Sequence, residues 1–242
     1  MVKMLTLASA AGLALAAATS AQGAVVSLDF EGINSSYPSD NYANILEFYN
    51  GGTSSQGTSG VNYGISFGRN ALAICLNTPG NYCSNTSRGG VGDPASALGG
   101  LFFLEGDETF MNIAAGFETG FSFNYVSLSY SGAVQVFDGL DGTGNLLASL
   151  DLSPNAGSCG ASYNAGFCPF SPVGVTFSGV ARSVSFGGVA NQIVFDDITF
   201  GSDVPGPPPV PEPASWALMI GGFSLVGAGL RRRRRWMATA LA

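Results

Sequence analysis

Residues 120–130 read GFSFNYVSLSY. Phe121, Phe123 and Tyr125 alternate with small or polar residues, and so do Val126, Leu128 and Tyr130. A period of two marks a β-strand, because successive side chains leave a strand on opposite faces. The phase changes between Tyr125 and Val126, which places a bulge or bend there. No long 3.6-residue period appears on either side. Short runs rich in Val, Ile, Phe and Tyr instead alternate with turn residues, at the spacing of a sandwich.

Working outward, strands are predicted at 25–30, 64–67, 71–75, 101–104, 111–114, 120–125, 126–130, 133–138, 145–150, 174–177, 181–186 and 192–200. The run Asp138-Gly-Leu-Asp-Gly-Thr-Gly-Asn145 is turn chemistry between two of them. Helix is expected only for a turn or two near 41–49. The fold class is therefore all-β, an antiparallel β-sandwich over residues 25–204. Its flanks are an N-terminal signal helix and a C-terminal transmembrane helix.

Between residues 25 and 204 there are fifteen Asp and Glu against three Arg (Arg69, Arg88, Arg182), a net charge of −12. Nucleic acids and anionic lipid are excluded as partners of this segment, since binding them needs Lys and Arg to displace counterions. Divalent cations and neutral glycans suit it better. Four cysteines form two close pairs, Cys75 with Cys83 and Cys159 with Cys168, in Gly-, Ser- and Asn-rich segments. In an exported chain they read as two short-loop disulfides. A four-thiolate metal site is the alternative, against which the wide spacing within each pair argues.

The ends carry a different composition. Residues 1–24 have Lys3 before an apolar run, then small residues suited to cleavage near 21–24, which reads as a secretory signal peptide. Residues 205–213 are a proline-rich extended spacer. Residues 214–230 are apolar or small throughout, and seventeen helical residues span about 25 Å, at the short end of a membrane crossing. The run Arg231 to Arg235 then stops transfer and stays cytoplasmic.

Pro211-Glu212-Pro213-Ala214-Ser215-Trp216-Ala217, an apolar helix, and a cluster opening on Arg231, Arg232 and Arg233 together resemble the PEP-CTERM sorting signal in its PEPxxWA form. The resemblance covers residues 211–235. It implies recognition by an exosortase-type membrane protease, cleavage near Pro211 to Pro213, and a membrane anchor through the C-terminal helix that is transient. Residues 236–242 extend past the basic cluster where such tails usually end. The stretches LDFEGI, VQVFDGLDGTGNLLASLDL and RSVSFGGVANQIVFDDITFG resemble the bodies of PEP-CTERM proteins. More loosely, they resemble galactose-binding-like and carbohydrate-binding jelly rolls, whose first and last strands lie side by side.

That neighbourhood would join Asp29 and Glu31, on the first strand, to Asp196 and Asp197, on the last. Calcium takes six to eight oxygen ligands, and the jelly-roll resemblance implies a structural Ca²⁺ at this place. Adjacent strand residues face opposite ways, so Asp196 and Asp197 both ligate only if a bulge intervenes. The alternative is solvated or hydrogen-bonded acids at strand ends. Asp138, Asp141 and Asn145 offer a second calcium loop, but the twelve-residue EF-hand ligand pattern is missing and a hairpin turn fits better. Glu105, Asp107 and Glu108 read as a solvated acidic loop.

Gly64-Ile65-Ser66-Phe67-Gly68 matches a nucleophile elbow in letters alone, because the sequence has no histidine and no α/β pattern to give it meaning. A two-carboxylate glycosidase needs only paired acids, yet no spacing singles out a pair. Tyr37, Tyr42, Tyr49, Tyr63, Tyr82 and Tyr163 lie in loop-like segments and could stack on sugar rings, or simply pack. Both tryptophans, Trp216 and Trp236, are in the tail. The expected function is non-enzymatic: a surface or matrix protein, exopolysaccharide-associated, sorted by its tail and then released to the cell surface or medium. A glycan- or ice-binding module is the second reading, and a secreted glycoside hydrolase the third.

Overall fold

A computed structural model describes residues 25–37, 39–76, 83, 98–157, 170–187, 190–206 and 223–224. Twelve strands form: β1 (Val26–Leu28), β2 (Tyr42–Asn44), β3 (Ile65–Phe67), β4 (Ala71–Cys75), β5 (Gly99–Phe103), β6 (Phe110–Phe117), β7 (Gly120–Ser127), β8 (Gly132–Phe137), β9 (Leu146–Leu152), β10 (Ser171–Thr176), β11 (Ala181–Gly187) and β12 (Ile193–Phe200). They make two antiparallel sheets. One has the order β10-β7-β12-β5-β4-β2, with β1 also on β12; the other is β3-β6-β11-β8-β9. Among the described residues 25–206 there is no helix. The expected signal helix at 1–24, the expected transmembrane helix at 214–230 and the arginine run lie outside the described residues, apart from Phe223 and Ser224.

The two sheets share one core. Phe103, Phe121, Phe123 and Phe195 from the first sheet and Met111, Val134, Val136, Val184 and Phe186 from the second are all fully buried in it. Phe195 is its hub: its ring centroid lies 5.3 Å from Phe123 and 4.9 Å from Phe186, both in edge-on geometry. Aromatic pairs prefer that arrangement, because a ring edge is positive and a face negative.

The strand at the opening stretch is continuous. Instead of breaking after Tyr125, β7 runs on to Ser127. Phe121, Phe123 and Tyr125 enter the main core, while Val126 joins Ile74, Leu76, Phe102 and Val194 in a second apolar cluster. Phe102 lies between two main-core residues, as does Val194, so this cluster occupies the opposite face of the sheet. The apparent phase change in the sequence was a second buried face.

The expected helix near 41–49 is likewise absent. Tyr42–Asn44 pairs with β4, and turns follow, with Phe48 N donating to Ile45 O at 3.1 Å. Ile45, Phe48 and Tyr49 all reach the core. Their i, i+3, i+4 spacing imitates a helix face, but the ladder with β4 commits the backbone to a strand.

Truncating the hub tests this core. Phe195→Ala removes a fully buried ring and should cost about 3–5 kcal/mol, read from urea unfolding midpoints with the slope unchanged.

Candidate functional site

The first and last strands do lie together. Val26 pairs with Phe200, Ser27 with Thr199 and Leu28 with Ile198. Continued by one residue, that register sets Asp29 beside Asp197. On its other edge β12 pairs with β7, and the register slips by one residue between Asp196 and Thr199. This is the bulge that the acidic pair requires. Phe195, Ile198 and Phe200 all enter the core, a spacing of three and then two, so the extra residue is accommodated at Asp196-Asp197. Asp197 has φ +49°, a left-handed conformation that Asp tolerates better than most residues. Both carboxylates are almost wholly buried, at 0% and 2% exposed.

Their contacts are specific. Asp197 N donates to Asp196 Oδ1 at 2.8 Å, and Asn124 Nδ2 donates to Asp197 Oδ2 at 3.1 Å. Asp29 Oδ1 accepts from Glu31 N at 3.2 Å. Glu31 is used differently. Its Oε1 accepts from both Leu98 N and Gly99 N, at 2.6 and 2.9 Å. A Cβ on Gly99 would overlap the carbonyl of Phe30, so only glycine lets β5 start this close to the end of β1. Beneath the junction Phe30 N donates to Tyr49 Oη at 3.0 Å. Burial pushes the Tyr49 phenol well above its ordinary value, and the Asp29 and Asp196 carboxylates push it further. Tyr37 is raised by burial first, then by Glu31 and Asp40. No three of the acids converge on a metal-holding point among the described residues. An ion here would rest on two carboxylates at most, with carbonyl oxygens and water completing its shell.

Beside the junction is a cleft of about 210 Å³ bounded by Ser27, Asp29, Glu31, Tyr49, Val61 and Tyr63. Tyr63 is 41% exposed, and its ring lies 6.3 Å from that of Tyr49. The other tyrosines divide. Tyr42 stacks on Phe102, whereas Tyr82 and Tyr163 lie outside the described residues.

The remaining candidates resolve as local structure. Asp138 accepts from Asn145 N and Nδ2, at 2.7 and 2.8 Å, closing the hairpin turn. Those bonds, the side-chain one first, hold its carboxyl below the usual aspartate value. Asp141 Oδ1 accepts from Asn112 Nδ2 at 2.7 Å. Glu108 pairs with Arg69 at 3.1 Å. Ser66 sits in β3, opposite Asn112, with no strand-to-helix turn around it. Cys75 and Cys83 form a disulfide; Cys159 and Cys168 lie outside the described residues, as do Pro211, Glu212, Pro213, Trp216, Ala217, Arg231, Arg232 and Arg233.

Sequence reasoning missed Asn124 and Gly99, and read Tyr49 as a stacking or packing residue rather than as the acceptor of Phe30 N. Asn124 was the legible one, being the amide in a strand of aromatics. Glu31 supplies the test. Glu31→Ala leaves two strand-start amides without this acceptor and should cost about 2–3 kcal/mol. Glu31→Gln keeps a carbonyl oxygen and should cost markedly less. Equal losses in chemical denaturation would mean that the charge matters and the amide cap does not.

No curated protein matches the chain. The tail is different: residues 209–235 match the PEP-CTERM protein-sorting motif, so the chain carries a PEP-CTERM sorting tail behind its two-sheet domain.

Proposed function

We propose that this is a non-catalytic exported protein, delivered by exosortase-type sorting to the cell surface or extracellular matrix and associated there with exopolysaccharide. The match at 209–235 carries the reading. That motif implies export, transit through a membrane-anchored stage, and processing by an exosortase-type enzyme. The acidic, lysine-free domain supports a role among neutral polymers and cations, away from nucleic acid. The side-by-side β1 and β12 support the jelly-roll type within the two-sheet architecture.

A ligand-binding role is the second reading, favoured by the cleft of Tyr49, Tyr63 and Asp29. An aromatic face beside a carboxylate suits a neutral sugar ring, which stacks through its C–H face and donates hydroxyls. A structural calcium at the same junction belongs to either reading. Two of Asp29, Asp196 and Asp197 would hold it, with carbonyl oxygens and water completing the shell that calcium takes.

Two measurements follow. Mass spectrometry of the protein released by its host should find a C-terminus near Pro211 to Pro213. A released form that retains Trp216 and Arg231 to Arg235 would refute sorting by cleavage. Thermal melting should rise by several degrees with millimolar calcium and fall back with chelator, and Asp197→Asn should abolish the difference. An unchanged midpoint removes calcium from the reading.

A further inference from the structure

Because Val26 pairs with Phe200, the chain enters and leaves the domain at the same end. The exit does not fray there. Gly201 N donates to Gly120 O at 2.9 Å, Thr119 Oγ1 donates to Gly201 O at 3.0 Å, and Ser122 Oγ donates to Ser202 O at 3.0 Å. Gly206 N is held by Thr199 Oγ1, also at 3.0 Å. The exit lies in a track made by glycine. A Cβ on Gly120 would stand 2.7 Å from the Ser202 carbonyl carbon, and one on Gly174 would overlap the carbonyl of Asp203.

Thr119 has φ +75°. A β-branched residue in the left-handed region is strained, and such strain persists only where the surroundings enforce it. Its hydroxyl is one of the bonds that hold the exit. Beside it is a cleft of about 330 Å³ bordered by Val25, Thr119, Thr176, Ser202 and Asp203.

The chain is therefore held as far as Gly206, and Pro211 is five residues on. Five residues reach at most about 18 Å fully extended, and the eight to Ala214 about 29 Å. An enzyme that cuts at 211–213 must work within that distance of the folded domain. The part of the sandwich that this distance brings to it is the exit end. Glu118 and Asp203 are exposed at that end, while Arg182 beside them is turned toward the Asp138 carbonyl.

We propose that the exit end of the sandwich, built by Val25, Thr119, Thr176 and the clamped segment 201–206, is a docking surface for the membrane-embedded processing enzyme, and that the clamp sets the longest distance from this surface to the cleavage motif. The proposal rests on the sorting reading of the tail. The occupant is a protein surface of basic character around the enzyme's active-site mouth.

The test uses the full chain in a host that makes an exosortase-type enzyme, following conversion of the tail-bearing form to the cut form. Deleting residues 207–210 should slow conversion about tenfold, equivalent to about 1.4 kcal/mol of lost productive docking. A Gly/Ser segment of the deleted length should restore it. Thr176→Arg with Asp203→Arg should slow conversion at the native spacer, but not when a long Gly/Ser insert follows Gly206. Protease resistance of the domain and its melting point confirm that each variant is folded. Wild-type conversion by the deletion variant overturns the proposal. So does faster conversion of the arginine variant, which would show that the face meets anionic lipid. If the wild type itself is never cut, the sorting reading fails, and this proposal with it.

Discussion

Everything distinctive in this molecule follows from how β12 spends its two edges. One edge is taken by β7 along nearly its whole length. The other is shared: β1 covers the C-terminal half, and β5 meets it at Phe195. All eight residues of β12 are buried, so each edge must be hydrogen-bonded. Two short strands that abut along one edge leave a seam between them, and the polar groups of that seam have to be satisfied by something other than the ladder.

The acids answer that need. Glu31 leaves the end of β1 and accepts both amides at the start of β5, while the bulge at Asp196-Asp197 buries two carboxylates in the same strand, one of them held by Asn124 of β7. A buried carboxylate is expensive to desolvate. Glu31 is only half-buried, and one of its oxygens accepts two donors where a carbonyl in a ladder accepts one. Tyr49 closes the seam from the core side through Phe30 N. The candidate site is thus first a joint in the fold, and any ligand it takes is added to that role.

How much of this was legible depended on the range of the interaction. Short β-favouring runs between turn residues located β4 to its residue limits and most of β6 to β12, because that signal is local. It failed at Tyr42–Asn44, where three residues are too few to show a period and the Ile45, Phe48, Tyr49 spacing competes. It misread Val126, because a pattern cannot distinguish a phase change from a second buried face. The acidic pair was visible as charges in an apolar strand, and the need for a bulge followed from alternation. The role of Glu31 was invisible, because its partners lie 67 and 68 residues away and amides carry no letter in a sequence.

The same edge sharing orders events in time. Ser27 and Thr199 touch across 172 residues, so the central strand of the larger sheet is the last to be made. Synthesis delivers chains N-terminus first, and long-range β pairing must close its loop before it is rewarded. The sandwich cannot close until residue 200 is available, and the sorting tail begins only nine residues later. Completion of the fold and arrival of the tail are therefore nearly one event. The glycine track and the strained Thr119 act at that moment, fastening the exit of β12 to the end where the chain began. A domain whose first strand waits for its last presents a finished, clamped end to whatever receives the tail.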